Sequence, residues 1–309
     1  MRIVAVDIGG TAMKSGIWNG EDIEQLKETA TCASEGGTAL MERVKKLIHS
    51  YQDFDAIGIS TAGEVNTVDG SIFYANDNIP GYTGMPVKKI LEEEFHVPVA
   101  VENDVNAAAL GELRAGAGRD CADFLCLTYG TGVGGSIVIG GSVYPGASFS
   151  AGSFGGIVIH PEQKDGTDSL QGCYEKCAST TGLVKRVKKV DAALDNGRKI
   201  FDAKDRVEIR EQIDAWIDDI CTGLVTLCYI FNPGRIILGG GVMAQEYVLS
   251  EVNRKVKKQL SPGLRKVEIV PAQLANTAGM IINPAMIAIA VSKISTFFVD
   301  ASIDTSFFI

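Results

Sequence analysis

The chain has 309 residues, of which 46% are hydrophobic and 22% charged, and its formal net charge is −9. This describes a globular chain with enough apolar residues for one large domain or two ordinary ones, and without the bias of a disordered segment. The acidic balance argues against an extended nucleic-acid surface, because phosphate binding needs clustered Lys and Arg to release counterions.

Met1 leads almost directly into a strand, so no secretory signal is read. Ile3–Val6 and the Ser15–Trp18 region predict a β-hairpin. Its tip is unusual: a strand ending in the carboxylate of Asp7, then Gly9, Gly10, Thr11 and Lys14. Bare backbone N–H groups can cup an anion, and a neighbouring Asp can hold a hydrated metal. Taken alone, the same residues also read as a tight turn, since glycine supplies positive φ.

GTALMERVKKLIHSYQ is amphipathic, with Leu40, Val44, Leu47, Ile48 and Tyr51 on one face of a predicted helix. Asp55–Ser60 reads as a buried strand running into Thr61-Ala62-Gly63. A helix near Met85–Phe95 turns Val87, Ile90, Leu91 and Phe95 inward. VPVAVEND is a further strand, and VNAAALGELRAG is a helix closed by Gly116 and Gly118. Asn103 and Asp104 stand where that strand gives way to that helix. Asp is a good N-cap, which needs no catalysis. A carboxylate at the end of a strand can also take a proton from a hydroxyl.

A second strand–loop–strand unit follows: Phe124–Thr128, then YGTGVGG, then SIVIGGSVY. Gly130-Thr131-Gly132-Val133-Gly134-Gly135 satisfies G-x-G-x-x-G, but that fingerprint must open a helix and here a strand continues. A Walker A lysine is absent as well. LVKRVKKV, the densest basic run, reads as the solvated face of a helix with Leu183, Val184 and Val187 inward. EIREQIDAWIDDICTGLVTLCYIF is a long helix stopped by Asn232-Pro233-Gly234. RIILGGGV gives a strand and a third glycine loop, Gly239-Gly240-Gly241. Val267–Val270 is a strand, and a last apolar helix is predicted near 278–292. AGMIINPAMIAIAV is too short for a bilayer and is broken by Asn283-Pro284, so no membrane association is expected. The seven cysteines are scattered without a C-x-x-C pair, which suits a reducing, cytoplasmic setting.

Each glycine loop alone reads as a turn, but three in this order point to a nucleotide. Two hairpins tipped with Gly and Thr could grip one polyphosphate, with Asp7 orienting hydrated Mg²⁺ and Gly239–Gly241 giving room for adenine or ribose.

The segments DIGGTAMKSGI, NIPGYTGMPV, VPVAVENDVNAAALGE, LTYGTGVGG, GCYEKCAS and IILGGGVM occur in an order that resembles the ROK family (repressors, open reading frames and sugar kinases). The resemblance covers nearly the whole chain. It implies an α/β fold of two actin-like (ribonuclease-H-like) domains with a ligand cleft between them. The corresponding division is 1–115, joined by a C-terminal helix at about 280–309, and 116–279. It further implies ATP-dependent phosphorylation of a sugar hydroxyl, most plausibly the 6-OH of a hexose or hexose derivative, with ATP and Mg²⁺. Asp104 is then the general base, and Gly63, Asn78, Asn103 and Glu175 contact the sugar. Similar kinases are often dimers, so a homodimer is expected. Repressor members carry a DNA-binding helix-turn-helix before the first strand; here the strand begins at Arg2, which points to a kinase.

The chain also departs from that pattern. Sugar-kinase members usually carry a Glu and a His where this chain has Ser153 and Gly156, and most have a C-x-C-x₄-C zinc cluster of which only Cys173 is kept. Zn²⁺ wants four thiolate, imidazole or carboxylate ligands in a tetrahedron, and Cys173, Cys177 and His160 match no common spacing. No structural zinc is expected. The lost carboxylate leaves either a roomier pocket, suited to a β-glucoside or an N-acetylated sugar, or weak binding of a free hexose. Two other classes stand beside the kinase: a non-catalytic sugar-binding or regulatory protein, and an actin-like ATPase acting on protein partners.

Overall fold

Three runs that are apolar up to their C-terminal ends, IVAVDI, AIGIST and VAVEN, form adjacent parallel strands, the composition expected of strands covered on both faces. The computed structural model describes residues 1–164 and 166–274. Among these, the chain divides into two units, residues 1–114 with 146–149, and residues 115–145 with 150–274. The return of 146–149 to the first unit has no sequence signal. The helix predicted at 278–292, Pro284 and the C-terminal helix expected at about 280–309 lie outside the described residues.

In the first unit, β1 (Ile3–Ile8) pairs antiparallel with β2 (Ala12–Trp18), which pairs antiparallel with β3 (Ile23–Ala30). Helix α1 (Gly37–His49) precedes β4 (Ala56–Thr61), which lies parallel to β1. A two-stranded ribbon follows, β5 (Glu64–Asn66) with β6 (Ser71–Tyr74), then α2 (Val87–Phe95). Strand β7 (Val99–Asn103) completes the order β3-β2-β1-β4-β7 and runs straight into α3 (Asp104–Ala115). Leu40, Met41, Val44, Leu47 and Ile48 of α1 are buried in the same core as Val4, Val6, Ile57 and Ile59. Beyond that helix, the buried Tyr51 hydroxyl meets Ser15 Oγ at 2.7 Å. Val87 and Leu91 of α2 are fully buried, whereas Ile90 and Phe95, expected inward, pack half-buried at the rim.

The second unit repeats this plan. β8 (Phe124–Tyr129) pairs antiparallel with β9 (Val133–Ile139), and β10 (Ser142–Val143) continues the meander. The short helices α4 (Tyr174–Ala178), α5 (Thr180–Lys188) and α6 (Gly197–Asp202) lead to the long α7 (Val207–Phe231). Strand β11 (Arg235–Gly239), helix α8 (Glu246–Gln259) and strand β12 (Glu268–Pro271) follow. The order is β10-β9-β8-β11-β12, with the same strand senses as the first sheet. The repeat that the glycine loops hint at is thus a repeat of topology.

Ile209, Ile213, Trp216, Ile217, Ile220 and Leu224 recur at helical spacing on α7 and are fully buried. Trp216 satisfies its indole by donating to the carbonyls of Ala178 (2.9 Å) and Ser179 (3.1 Å), which fixes α4 and α5 on α7. Leu183 and Val187 of α5 are buried, with Val184 half-buried beside them. Asn232 ends α7 in the left-handed conformation, φ 44°. No helix among the described residues is long and apolar enough to cross a membrane.

Candidate active site

Parallel strands bring their C-terminal ends to one edge of a sheet, where open α/β sheets hold ligands. In the first unit the register sets Asp7 beside Ser60, and Ser60 beside Glu102. Asp7, Gly63 and the Asn103-Asp104 pair therefore gather at the same edge. Ser60 donates from Oγ to Asp7 Oδ1 at 2.8 Å, and Lys14 stands opposite Asp7 across the β1–β2 hairpin. Burial raises the Asp7 carboxyl, against the pull of Ser60 and Lys14. Gly9, Gly10 and Thr11 form the tip; Gly10 and Thr11 are exposed, and Gly9 N–H donates to the Ala12 carbonyl at 3.1 Å. Thr31, fully buried at the end of β3, donates from its hydroxyl to the Gly9 carbonyl at 2.6 Å and from its N–H to Thr11 O at 3.0 Å. Sequence reasoning passed over this brace.

Asn103 and Asp104 divide the labour at the mouth of α3. Asn103 Oδ1 accepts from the N–H groups of Val105 (2.9 Å) and Asn106 (3.1 Å), so Asn103 provides the cap that the sequence alone would give to Asp104. Asn103 Nδ2 donates to the Gly63 carbonyl and to Asp104 Oδ1, both at 2.9 Å. Asp104 is open to solvent on one side, but the protein packed around it and the negative charge of Asp7 push its carboxyl up to about 6. Beneath it, buried Glu102 accepts from Asn103 N–H (2.9 Å) and from Asn106 Nδ2 (3.1 Å). Ser60, Glu102 and Asn106 were missed as site residues; the only sequence signal was polar side chains within otherwise apolar strand and helix.

Gly63 has φ 98°, and a Cβ there would lie 2.9 Å from the Tyr74 carbonyl, so this position takes only glycine without strain. Asn78 is exposed in the turn after β6, where its N–H donates to Asn76 Oδ1 at 3.2 Å.

Glu175, Gly130, Thr131, Gly132 and Gly239–Gly241 belong to the second unit. Gly130–Gly132 tip the β8–β9 hairpin, and Gly239–Gly241 follow β11 at the same sheet edge, since Gly239 pairs with Thr128. Thr180 holds the hairpin from behind: its N–H donates to Gly130 O (3.0 Å) and its hydroxyl to Tyr129 O (3.2 Å). A Cβ on Gly240 would stand 2.2 Å from Tyr129 O, so the third loop is pressed against the second hairpin. A Cβ on Gly132 would meet Glu175 Oε2 at 2.3 Å. The half-buried Glu175 carboxylate has no hydrogen-bond or ion-pair partner among the described residues. Of the residues expected to contact sugar, Gly63, Asn78, Asn103 and Asp104 thus share one unit, and Glu175 sits with the glycine loops of the other.

Ser153 and Gly156 are both exposed, and Ser153 Oγ donates to the Ser150 carbonyl at 2.8 Å. His160 uses both ring nitrogens on carboxylates, Glu162 and Asp219, each at 2.8 Å. Among the described residues no three metal-ligating side chains cluster. A concavity of about 580 Å³ lies at the opposite end of β11, beside Arg235. That guanidinium is committed to Asp120 and Glu268, and the glycine loops lie elsewhere.

Residues 3–288 match the ROK family model. The chain is 36% identical to a β-glucoside kinase of Listeria monocytogenes over 91% of its own length and 95% of the relative's. It is 33% identical to a glucokinase of Halalkalibacterium halodurans, covering 90% and 92% of the two chains. A ROK family glucokinase from Streptomyces griseus, solved in complex with glucose and AMPPNP, superimposes with a TM-score of 0.79 at 29% identity, covering 93% of this chain and all of that one.

Proposed function

Because the chain belongs to the ROK family, whose sugar kinases share its actin-like fold, we propose that it is an ATP-dependent sugar kinase. It transfers the γ-phosphate of ATP to a hydroxyl, the 6-OH, of a hexose or hexose derivative, with Asp104 as general base.

The observation that carries this reading is the placement of Asp104, at the junction of β7 and α3 with its carboxylate held by Asn103, which also binds the Gly63 carbonyl. Phosphoryl transfer asks the protein chiefly to align the nucleophile, accept its proton and balance phosphate charge. A base works best with a pKa near the working pH, and Asp104 is held at about 6 by dense packing and by Asp7. Asn103 fixes one carboxylate oxygen, leaving the other for the hydroxyl proton. Gly63, Asn78 and Asn103 then hold the sugar's remaining hydroxyls. Glu175, a carboxylate without a described partner, suits a further hydroxyl through a charge-assisted bond.

ATP falls to the two hairpin tips, Gly9–Thr11 with Lys14 and Gly130–Gly132, with Gly239–Gly241 against the nucleoside. Mg²⁺ fits Asp7: Ser60 occupies Oδ1 and leaves Oδ2, a hard oxygen donor, and a cation there would offset the repulsion between Asp7 and Asp104. When bound, the ion neutralises charge on the phosphates. The test is ADP release across a panel of hexoses and hexose derivatives, with Asp104→Ala as the control that should fall silent.

One observation favours a second reading, a sugar-binding or regulatory protein with little or no turnover. The exposed Ser153 and Gly156 replace the Glu and His usual in sugar-kinase members. Sugar binding by calorimetry without ADP formation on any sugar would select that reading over the kinase.

A further inference from the structure

Beside Gly63 the first unit carries aromatic surface that its core does not use. Phe73 is 48% exposed and Tyr74 54% exposed, although both follow the fully buried Ile72 on β6. Leaving such rings in water forgoes roughly 25 cal/mol for each Å² not buried. Phe73 instead packs edge-on to Phe149, with ring centroids 5.7 Å apart and planes at 64°. Phe149 belongs to 146–149, the short segment that joins the first unit from outside its main span. Its backbone is left-handed, with φ 60°, which is unfavourable for a bulky side chain. Two independent costs, exposed rings and a strained Phe, meet at one contact.

That contact lies next to the residues assigned to the sugar. Tyr74 pairs with Glu64, immediately after Gly63, and its carbonyl closes over the Gly63 backbone. Gly63 O is bonded to Asn103, and Asn103 to Asp104. In the other direction β6 leads through Ala75, pinned at its N–H and carbonyl by Thr83 Oγ1 (3.0 Å each), to Asn78. Phe73 therefore belongs to the short ribbon that presents Gly63 and leads on to Asn78, and Phe149 reaches that ribbon from 146–149.

A free hexose has one ring, which Asp104, Asn103 and Asn78 would already engage. Exposed aromatic faces recognise the C–H face of a pyranose, or another aromatic ring, by apolar contact with little demand for direction. We infer that Phe73 and Phe149 seat a second ring, glycosyl or aryl, so that the substrates are hexosides rather than free hexoses. This rests on the sugar-holding part of the kinase reading, and it assigns specificity to two residues outside the reacting groups.

The test is affinity, measured by calorimetry for glucose, cellobiose and p-nitrophenyl β-glucoside, with wild type, Phe73→Ala and Phe149→Gly. Glycine relieves the left-handed strain, so Phe149→Gly should melt no lower than wild type while losing its ring. Wild type should bind the two-ring sugars at least tenfold more tightly than glucose, and each variant should cut that ratio at least fivefold. Equal affinity for one-ring and two-ring sugars in wild type, or a ratio that survives both substitutions, overturns the inference. ADP release assayed in parallel separates the two claims. Turnover on glucose with no two-ring preference sinks the second ring and keeps the kinase; a two-ring preference without ADP keeps the subsite and sinks the kinase.

Discussion

Asn103 Nδ2 lies 2.9 Å from Asp104 Oδ1, while the Oδ1 of the same amide accepts from the N–H groups of Val105 and Asn106 in the first turn of α3. One side chain thus ends a strand, starts a helix and aims a carboxylate. Replacing Asp104 by Ala should lower kcat by about 10²–10⁴, the usual worth of a general base, with the far-UV circular dichroism of wild type retained. Asn103→Ala should do two things: cost about 1 kcal/mol as a lost cap, read by urea denaturation, and lower kcat as Asp104 loses its support. A full-rate Asp104→Ala enzyme would remove Asp104 from the chemistry.

The pH dependence follows from Asp104. As a base it must be ionised, so kcat/KM should fall about tenfold per pH unit below its pKa of about 6. Its stability effect has the opposite sign. A carboxyl raised in the folded state holds its proton longer than in the unfolded chain, so ionisation costs stability as pH climbs from about 4 through 6. Asp104→Asn should therefore be more stable than wild type above about pH 6, with the gap closing below about pH 4. Denaturation midpoints of the two proteins at both ends of that range measure it; a gap independent of pH would mean Asp104 is not raised.

Glu175 occupies the space that a side chain at position 132 would need, its Oε2 within 2.3 Å of the virtual Cβ. Gly132→Ala must push that carboxylate away or deform the hairpin tip. Because Glu175 is the end of a flexible side chain, the carboxylate yields first. The expected result is a rise in KM for sugar of roughly tenfold, the worth of about 1.5 kcal/mol for a charge-assisted bond. KM for ATP should rise less. A rise confined to ATP would show that the hairpin gave way instead.

Much of this architecture is legible from the chain because burial writes itself into apolar runs. IVAV, AIGI and the period of Ile209, Ile213, Trp216 and Ile220 leave few alternatives. Strand β3 was not legible: IEQLKETA is an edge strand with hardly a buried residue, so no alternation marks it. At the site, Asp7 and Asp104 stand out as acids at strand ends, and the glycine loops as bare backbone. Ser60, Thr31 and Glu102 act through register and through contacts between distant segments, which spacing along the chain does not encode. The topological repeat was hidden for a related reason, since the two sheets share strand order while sharing almost no residues beyond the glycine tips.

His160 and Asp219 make the last case, where Cys173 and Cys177 invite a metal. Asp219, 8% exposed, accepts from His160 Nε2 at 2.8 Å and from Arg186 at 2.6 Å, tying the chain after β10 and helix α5 to α7. Asp219 and then Glu162 raise the His160 pKa, while burial and the charge of Asp219 push the Cys177 thiol up to about 11. An imidazole with both nitrogens engaged on carboxylates, beside two thiols whose spacing matches no common site, makes a poor zinc centre, so a chelator should leave the melting temperature unchanged. Asp219→Ala, by stranding two cations, should cost about 3 kcal/mol in urea denaturation. His160→Gln should be destabilising with a definite pH signature. A raised histidine contributes fully below its unfolded value of about 6.5 and loses that contribution as pH rises through the folded value. The gap to wild type should therefore be widest in mild acid and shrink towards alkaline pH. A gap that grows with pH, or a melting temperature that drops with chelator, would show that a metal rather than an ion pair holds this segment.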